Sequence, residues 1–142
     1  MKKLIVLLVA LSAGSIMSFG QCDKKVILTS SKTEYLGADS SVQRSEDEIT
    51  TVEFDKNTIT IIPGSDDHRM AGKITAYTCN WPVLFKEGKT VIKVVLSDVS
   101  GENKNLTITI TGKGGKVNLL AEIDDTPDKK IHLLADKFEA KN

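Results

Sequence analysis

The sequence predicts an all-β fold: an antiparallel meander of about eight strands that closes into a small barrel, with a β-sandwich as the alternative architecture. Three observations carry this. Apolar residues recur with period two over most of the chain, the pattern of half-buried strands. The segments are separated by short Gly-, Asn-, Asp- and Pro-containing turns. No segment shows the apolar stripe of a helix.

In chain order, a first strand falls within KKVILTSSKTEYL, led by Val26 and Leu28. SSVQRSEDEIT is polar without a stripe and reads as a loop or hairpin feeding the next strand. That strand, TTVEFD, places Thr50, Val52 and Phe54 inward, and TITII follows with Ile59 and Ile61. KITAYTC puts Ile74, Ala76 and Thr78 on one side and Tyr77 and Cys79 on the other. TVIKVVLSD offers Ile92, Val94 and Leu96. NLTITIT alternates Leu106, Ile108 and Ile110 with threonines suited to a pleated surface. KVNLLAEI gives Val117, Leu119, Ala121 and Ile123, and KKIHLLADKF gives Ile131, Leu133 and Ala135. The tail after Phe138 is expected to fray. Sequential strands joined by short turns pair with their neighbours, and a meander of this length can close and so remove its own edges.

Ahead of the strands stand Lys2 and Lys3, the apolar run LIVLLVALSA, and small residues at Ser18 and Gly20. This is the pattern of a secretory signal peptide cut after Gly20, giving one leader (residues 1–20) and a single domain (residues 21–142). The apolar run is about half of the ~20 residues a membrane-crossing helix needs, so no transmembrane segment is expected in the mature chain. The mature protein is therefore expected to be exported to the periplasm, the outer surface or the medium. A lipid-anchored Cys22 is disfavoured because Gln21, a large side chain, precedes it.

Without Lys2 and Lys3 the chain carries 17 basic and 19 acidic side chains in no long single-sign block. That balance gives no electrostatic footprint for nucleic acid. Two cysteines in an exported chain predict one disulfide, Cys22–Cys79, closing a loop of about 58 residues. Neither cysteine belongs to a C-x-x-C pair, which speaks against redox or zinc chemistry.

YTCNWPVLFKEG concentrates the only tryptophan, a cysteine and a proline. Pro82 cannot donate a ladder hydrogen bond, so the chain is expected to leave the sheet after Cys79 in a loop bearing Trp81, Val83, Leu84 and Phe85. Such a loop plugs one end of a barrel. Its rival role is a binding lip in which Trp81 and Phe85, with Tyr77 and Phe54, contact an apolar ligand.

Signal peptide, about 120 mature residues, meandering strands and short turns together resemble the small lipocalin-like proteins exported by Gram-negative bacteria. The resemblance implies a barrel that holds a small apolar ligand without catalysis. Lipocalins proper carry a Gly-x-Trp on the first strand that closes the barrel floor; here no tryptophan lies near Val26.

Chemistry-bearing clusters are sparse. Asp66, Asp67 and His68 in PGSDDHRM read as a solvated turn, since adjacent residues rarely point at one ion. His132 faces opposite Ile131 and Leu133. No G-x-S-x-G elbow is present, and TGKGGK lacks phosphate-loop spacing and opens a strand. Asn105-Leu106-Thr107 matches a glycosylation sequon that only a eukaryotic secretory route would use. No catalytic residue, metal or cofactor is expected. The expected function is binding of a small apolar ligand; the alternative is a protein-interaction module or inhibitor that acts through its loops on a partner the sequence does not identify.

Overall fold

A computed structural model describes residues 20–141. The predicted leader lies outside them, except for Gly20. Nine strands follow a 3-10 turn at Gln21–Asp23: β1 (Val26–Leu36), β2 (Val42–Phe54), β3 (Thr58–Pro63), β4 (Met70–Val83), β5 (Glu87–Ser97), β6 (Asn103–Lys113), β7 (Lys116–Ile123), β8 (Lys130–Leu134) and β9 (Lys137–Ala140). Each of β1 to β7 pairs antiparallel with its successor, and β8 pairs with β1, so the meander closes into a barrel. β9 runs along the first half of β1, Val26↔Ala140 to Thr29↔Lys137, where β8 covers only the second half, Thr33↔Leu133 to Leu36↔Lys130.

The alternating side chains fill the barrel from within. Leu28, Val52, Ile92, Ile108 and Ile110 are fully buried. The outer face carries Lys93, Thr107, Thr109 and Thr111, the reverse of the apolar outer band of a membrane-spanning barrel. No helix among the described residues is long and apolar enough to cross a membrane.

Four segments differ from their sequence-level expectation. Of the loop or hairpin expected at SSVQRSEDEIT, the hairpin forms, and its second arm is strand from Val42 rather than from Thr50: Val42 to Asp47 pair with Leu36 to Lys32 of β1. This part of β2 is exposed on both faces, so no apolar alternation marks it. β4 continues through Pro82 to Val83, and only Leu84 to Lys86 form the turn. A bulge between Ile74 and Ala76 shifts the β4 register, so Ile74 packs against the core from one side of it and Tyr77, Cys79 and Trp81 from the other, while Ala76 and Thr78 face solvent. KKIHLLADKF breaks at Ala135 and Asp136 into β8 and β9, and the chain expected to fray after Phe138 pairs through Ala140.

The meander sorts the turns to two ends. The β2–β3, β4–β5 and β6–β7 turns and both ends of the described residues lie at one, and the β1–β2, β3–β4, β5–β6 and β7–β8 connections at the other. Three turns are fastened by aspartates. Asp55 Oδ1 accepts the Asn57 and Thr58 N–H groups at 2.8 and 2.9 Å, Asp98 Oδ1 accepts those of Ser100 and Glu102, and Asp39 Oδ1 accepts from the N–H and hydroxyl of Ser41.

The hydroxyls of Ser41 and Ser100 are the main cause holding Asp39 and Asp98 below the usual carboxylate value of 3.8. For Asp55, burial works against ionisation, and the Thr58 and Asn57 N–H groups with Lys25 more than offset it. A lowered folded pKa stabilises the protein above that value, and the contribution is lost as pH falls through the folded pKa. Stability measured by urea unfolding should therefore decline as pH falls below about 4, and Asp55→Asn with Asp98→Asn, whose amides do not titrate, should flatten that decline.

Candidate functional site

The two ends of the barrel are built differently. At the end where β1 begins, Cys22 is bonded to Cys79, which ties the 3-10 turn to β4. Trp81 fills this end. Its ring is buried, its Nε1–H donates to Thr90 Oγ1 at 2.7 Å, and the Thr90 hydroxyl lies 3.5 Å from Cys79 Sγ. Phe138 of β9 packs on both Trp81 and Phe85, each at 5.2 Å between ring centroids. The buried Gln21 carboxamide accepts the Phe85 N–H and so holds Phe85 at φ 60°, a left-handed conformation unusual for a bulky residue.

Two glycines make room for the tryptophan. A Cβ at Gly112 would lie 2.5 Å from Trp81 Cζ3, and one at Gly88 would lie 2.4 Å from the Asn80 carbonyl oxygen and 2.5 Å from Trp81 Cα. The tryptophan that seals this barrel thus comes from β4 rather than from the first strand.

At the opposite end the barrel is hollow. A cavity of about 150 Å³ is walled by Val52, Ile61, Leu96, Leu106, Leu119 and Leu133. Short side chains leave the space: Ala121 of β7, and Thr33 and Thr50, whose buried hydroxyls lie 3.4 Å apart. Tyr35, Glu48, Pro63 and Met70 line both the cavity and a wider vestibule of about 440 Å³ above it. The vestibule is acidic, with Glu46, Glu48, Asp67 and Asp98 on its walls and His68 beside them.

The sequence-level site residues fall at the sealed end. Phe54 and Trp81 are buried there; Tyr77 and Phe85 are half-buried and pack against the same core. Burial, followed by the charges of Asp23 and Asp55, raises the Tyr77 phenol above its ordinary pKa. None of the four lines the hollow at the other end. Glu48 and the Thr33–Thr50 pair were not singled out from sequence, although an inward glutamate two residues before Thr50 is a signal that strand parity offers.

Asp66 to His68 form an exposed 3-10 turn at the vestibule rim. His132 is held on the outer face between Glu34 Oε1, 2.8 Å from Nδ1, and Asn118 Oδ1, 2.9 Å from Nε2. Among the described residues no three His, Cys, Asp or Glu side chains gather as a metal site.

Fold and cavity define the class: a small closed antiparallel β-barrel, sealed at one end and open at the other, an architecture consistent with the lipocalin-like one. Comparison with protein-family models, curated proteins and solved structures finds no match for the chain.

Proposed function

We propose that the chain is an exported, non-catalytic binding protein that holds a small apolar group in the hollow end of its barrel. The observation that carries this is the aliphatic cavity, because burying apolar surface there releases a ligand from water at ~25 cal/mol per Å². Export is supported by the leader pattern and by the disulfide, which persists in oxidising compartments.

The cavity also limits the ligand. Its volume is below the ~300–1,000 Å³ of pockets that enclose a drug-sized molecule. An aliphatic cavity of ~150 Å³ stays dry and takes a group the size of benzene. The apolar part therefore has about six heavy atoms, and any larger remainder lies in the vestibule. The polar groups that line the cavity are the Thr33, Thr50 and Tyr35 hydroxyls and the Glu48 carboxylate.

The test is a titration of the disulfide-bonded mature chain with benzene, n-butanol and n-hexanol, followed by thermal unfolding and calorimetry. A ligand at a hundredfold excess over its Kd stabilises the fold by about 2.7 kcal/mol. Ala121→Leu, which fills the cavity with three further carbons, should abolish that response while leaving the protein folded. No stabilisation of the parent chain by any of the three, or an equal response in Ala121→Leu, would remove the cavity as the binding site.

A further inference from the structure

β2 has thirteen residues and β3 only six, so β3 covers β2 from Thr50 to Phe54 and no further. The next position is closed by Gly64, whose N–H bonds the Ile49 carbonyl at 2.9 Å. After Pro63 the chain turns through the Asp66–His68 helical turn and re-enters the barrel at Met70, which pairs with Ile61 of β3. From Val42 to Asp47, β2 is consequently paired with β1 on one side, Glu48 follows at a bulge in that ladder, and, among the described residues, no strand pairs with this stretch on the other side.

The bare edge borders the vestibule, whose remaining walls are Asp67 and His68 and the Asp98–Ser100 turn. The groove is open, about 440 Å³, and its charge is predominantly negative. Glu46 is paired with Arg44 at 3.3 Å, and Arg44 also lies 4.2 Å over the Tyr35 ring. Glu48, Asp67 and Asp98 have no ion-pair partner among the described residues. Met70, Pro63 and the exposed Val99 add apolar contact in the same groove.

We propose that the β2 edge from Val42 to Glu48 takes up an extended peptide segment bearing lysine or arginine as an added strand lying in this groove. A strand edge offers main-chain hydrogen bonds to any extended chain, and the flanking side chains choose which one. Consecutive acids at Glu46, Asp47 and Glu48 discourage a second copy of the same edge, because like charges oppose one another across a two-fold antiparallel pairing. The same acids attract alternate cationic side chains, which raises the association rate and makes binding sensitive to salt. The groove adjoins the apolar cavity beneath it, and an added strand would pass over the cavity mouth at Glu48, Pro63 and Met70.

The test uses the mature chain and an end-capped eight-residue peptide of alternating lysine and threonine. Its companions are the glutamate-for-lysine peptide and two lysine peptides N-methylated on one or the other alternate set of amides. The lysine peptide should bind with Kd below ~1 mM, and amide exchange should slow at Val42 to Glu48. Methylation should weaken binding at least ~10-fold in one alternate frame only, the frame whose N–H groups face β2. The glutamate peptide should not bind, and Glu48→Gln with Asp67→Asn should weaken the lysine peptide while leaving the urea midpoint in place.

Equal binding of both methylated peptides would reduce the interaction to charge alone and overturn strand addition. Failure of the lysine peptide to bind at ~1 mM would overturn it also. Protection of Val42 to Glu48 that rises with protein concentration in the absence of peptide, with a dimer in sedimentation, would give the edge to a second copy instead.

Discussion

Replacing Cys22 and Cys79 by serine lowers the stability of the barrel by about 4 kcal/mol, the chain-entropy value for a closed loop of this length. The two cysteines are 57 positions apart, and the bridge joins the segment before β1 to β4 on another side of the barrel. It encloses β1, β2, β3 and most of β4, so the unfolded chain loses conformational freedom over nearly half of residues 21–142. The other polar contacts of the first residues are the Gln21 bond to Phe85 and an exposed Lys56–Asp23 pair at 2.8 Å, the latter worth under ~1 kcal/mol. Urea unfolding of the double-serine variant should show a lower midpoint at unchanged slope, and the parent chain treated with a thiol reductant should match it. A loss below ~1 kcal/mol would mean that the sealed end holds itself together without the bridge.

Trp81→Ala should cost about 3–5 kcal/mol, the range for removing a large buried aromatic side chain. The ring is enclosed by Phe138 and the Gly88 and Gly112 backbones, which cannot collapse onto the space it leaves without moving β5 and β6. Trp81→Phe separates packing from hydrogen bonding. It keeps an aromatic ring but strips the buried Thr90 hydroxyl of its indole donor, at a cost of about 1–2 kcal/mol. Because Trp81 lies at the end opposite the cavity, Trp81→Phe should bind small apolar ligands as the parent does. Loss of binding in that variant would return the tryptophan to the role of a binding lip.

Much of this architecture was legible in the chain. In NLTITIT, period-two alternation places Leu106, Ile108 and Ile110 in the core, and the Cys22–Cys79 bridge expected from the two cysteines is present. Alternation fails where the backbone departs from regular pleating. In β4 the bulge between Ile74 and Ala76 reverses parity, so an inward series starting at Ile74 lands on Ala76 and Thr78, which face solvent. In β2, Gln43 to Asp47 are extended because β1 supplies a ladder partner, a cause that no property of those side chains reveals. Pro82 stays in strand at the end of β4, where the register shift between Asn80 and Val83 leaves no ladder pair for it to break.

The hollow was legible only in its components. Thr50 and Ala121 were both readable as inward positions, but their small size matters only because strand register brings them to one end of the barrel with Thr33. That register is set by bulges and turn lengths across seven strand pairings, which lie beyond any local window. Trp81 drew attention for the opposite reason: a large rare side chain stands out in sequence, whereas space is made by residues that do not.

The most direct measurement is a crystal structure of the mature, disulfide-bonded chain under xenon pressure, because xenon enters dry apolar cavities and scatters strongly. Xenon density between Leu106, Leu119, Ala121 and Leu133, absent in Ala121→Leu, is the expected result. A xenon-free interior with those side chains in mutual contact would show the barrel to be solid and contradict its assignment as a carrier of an apolar group.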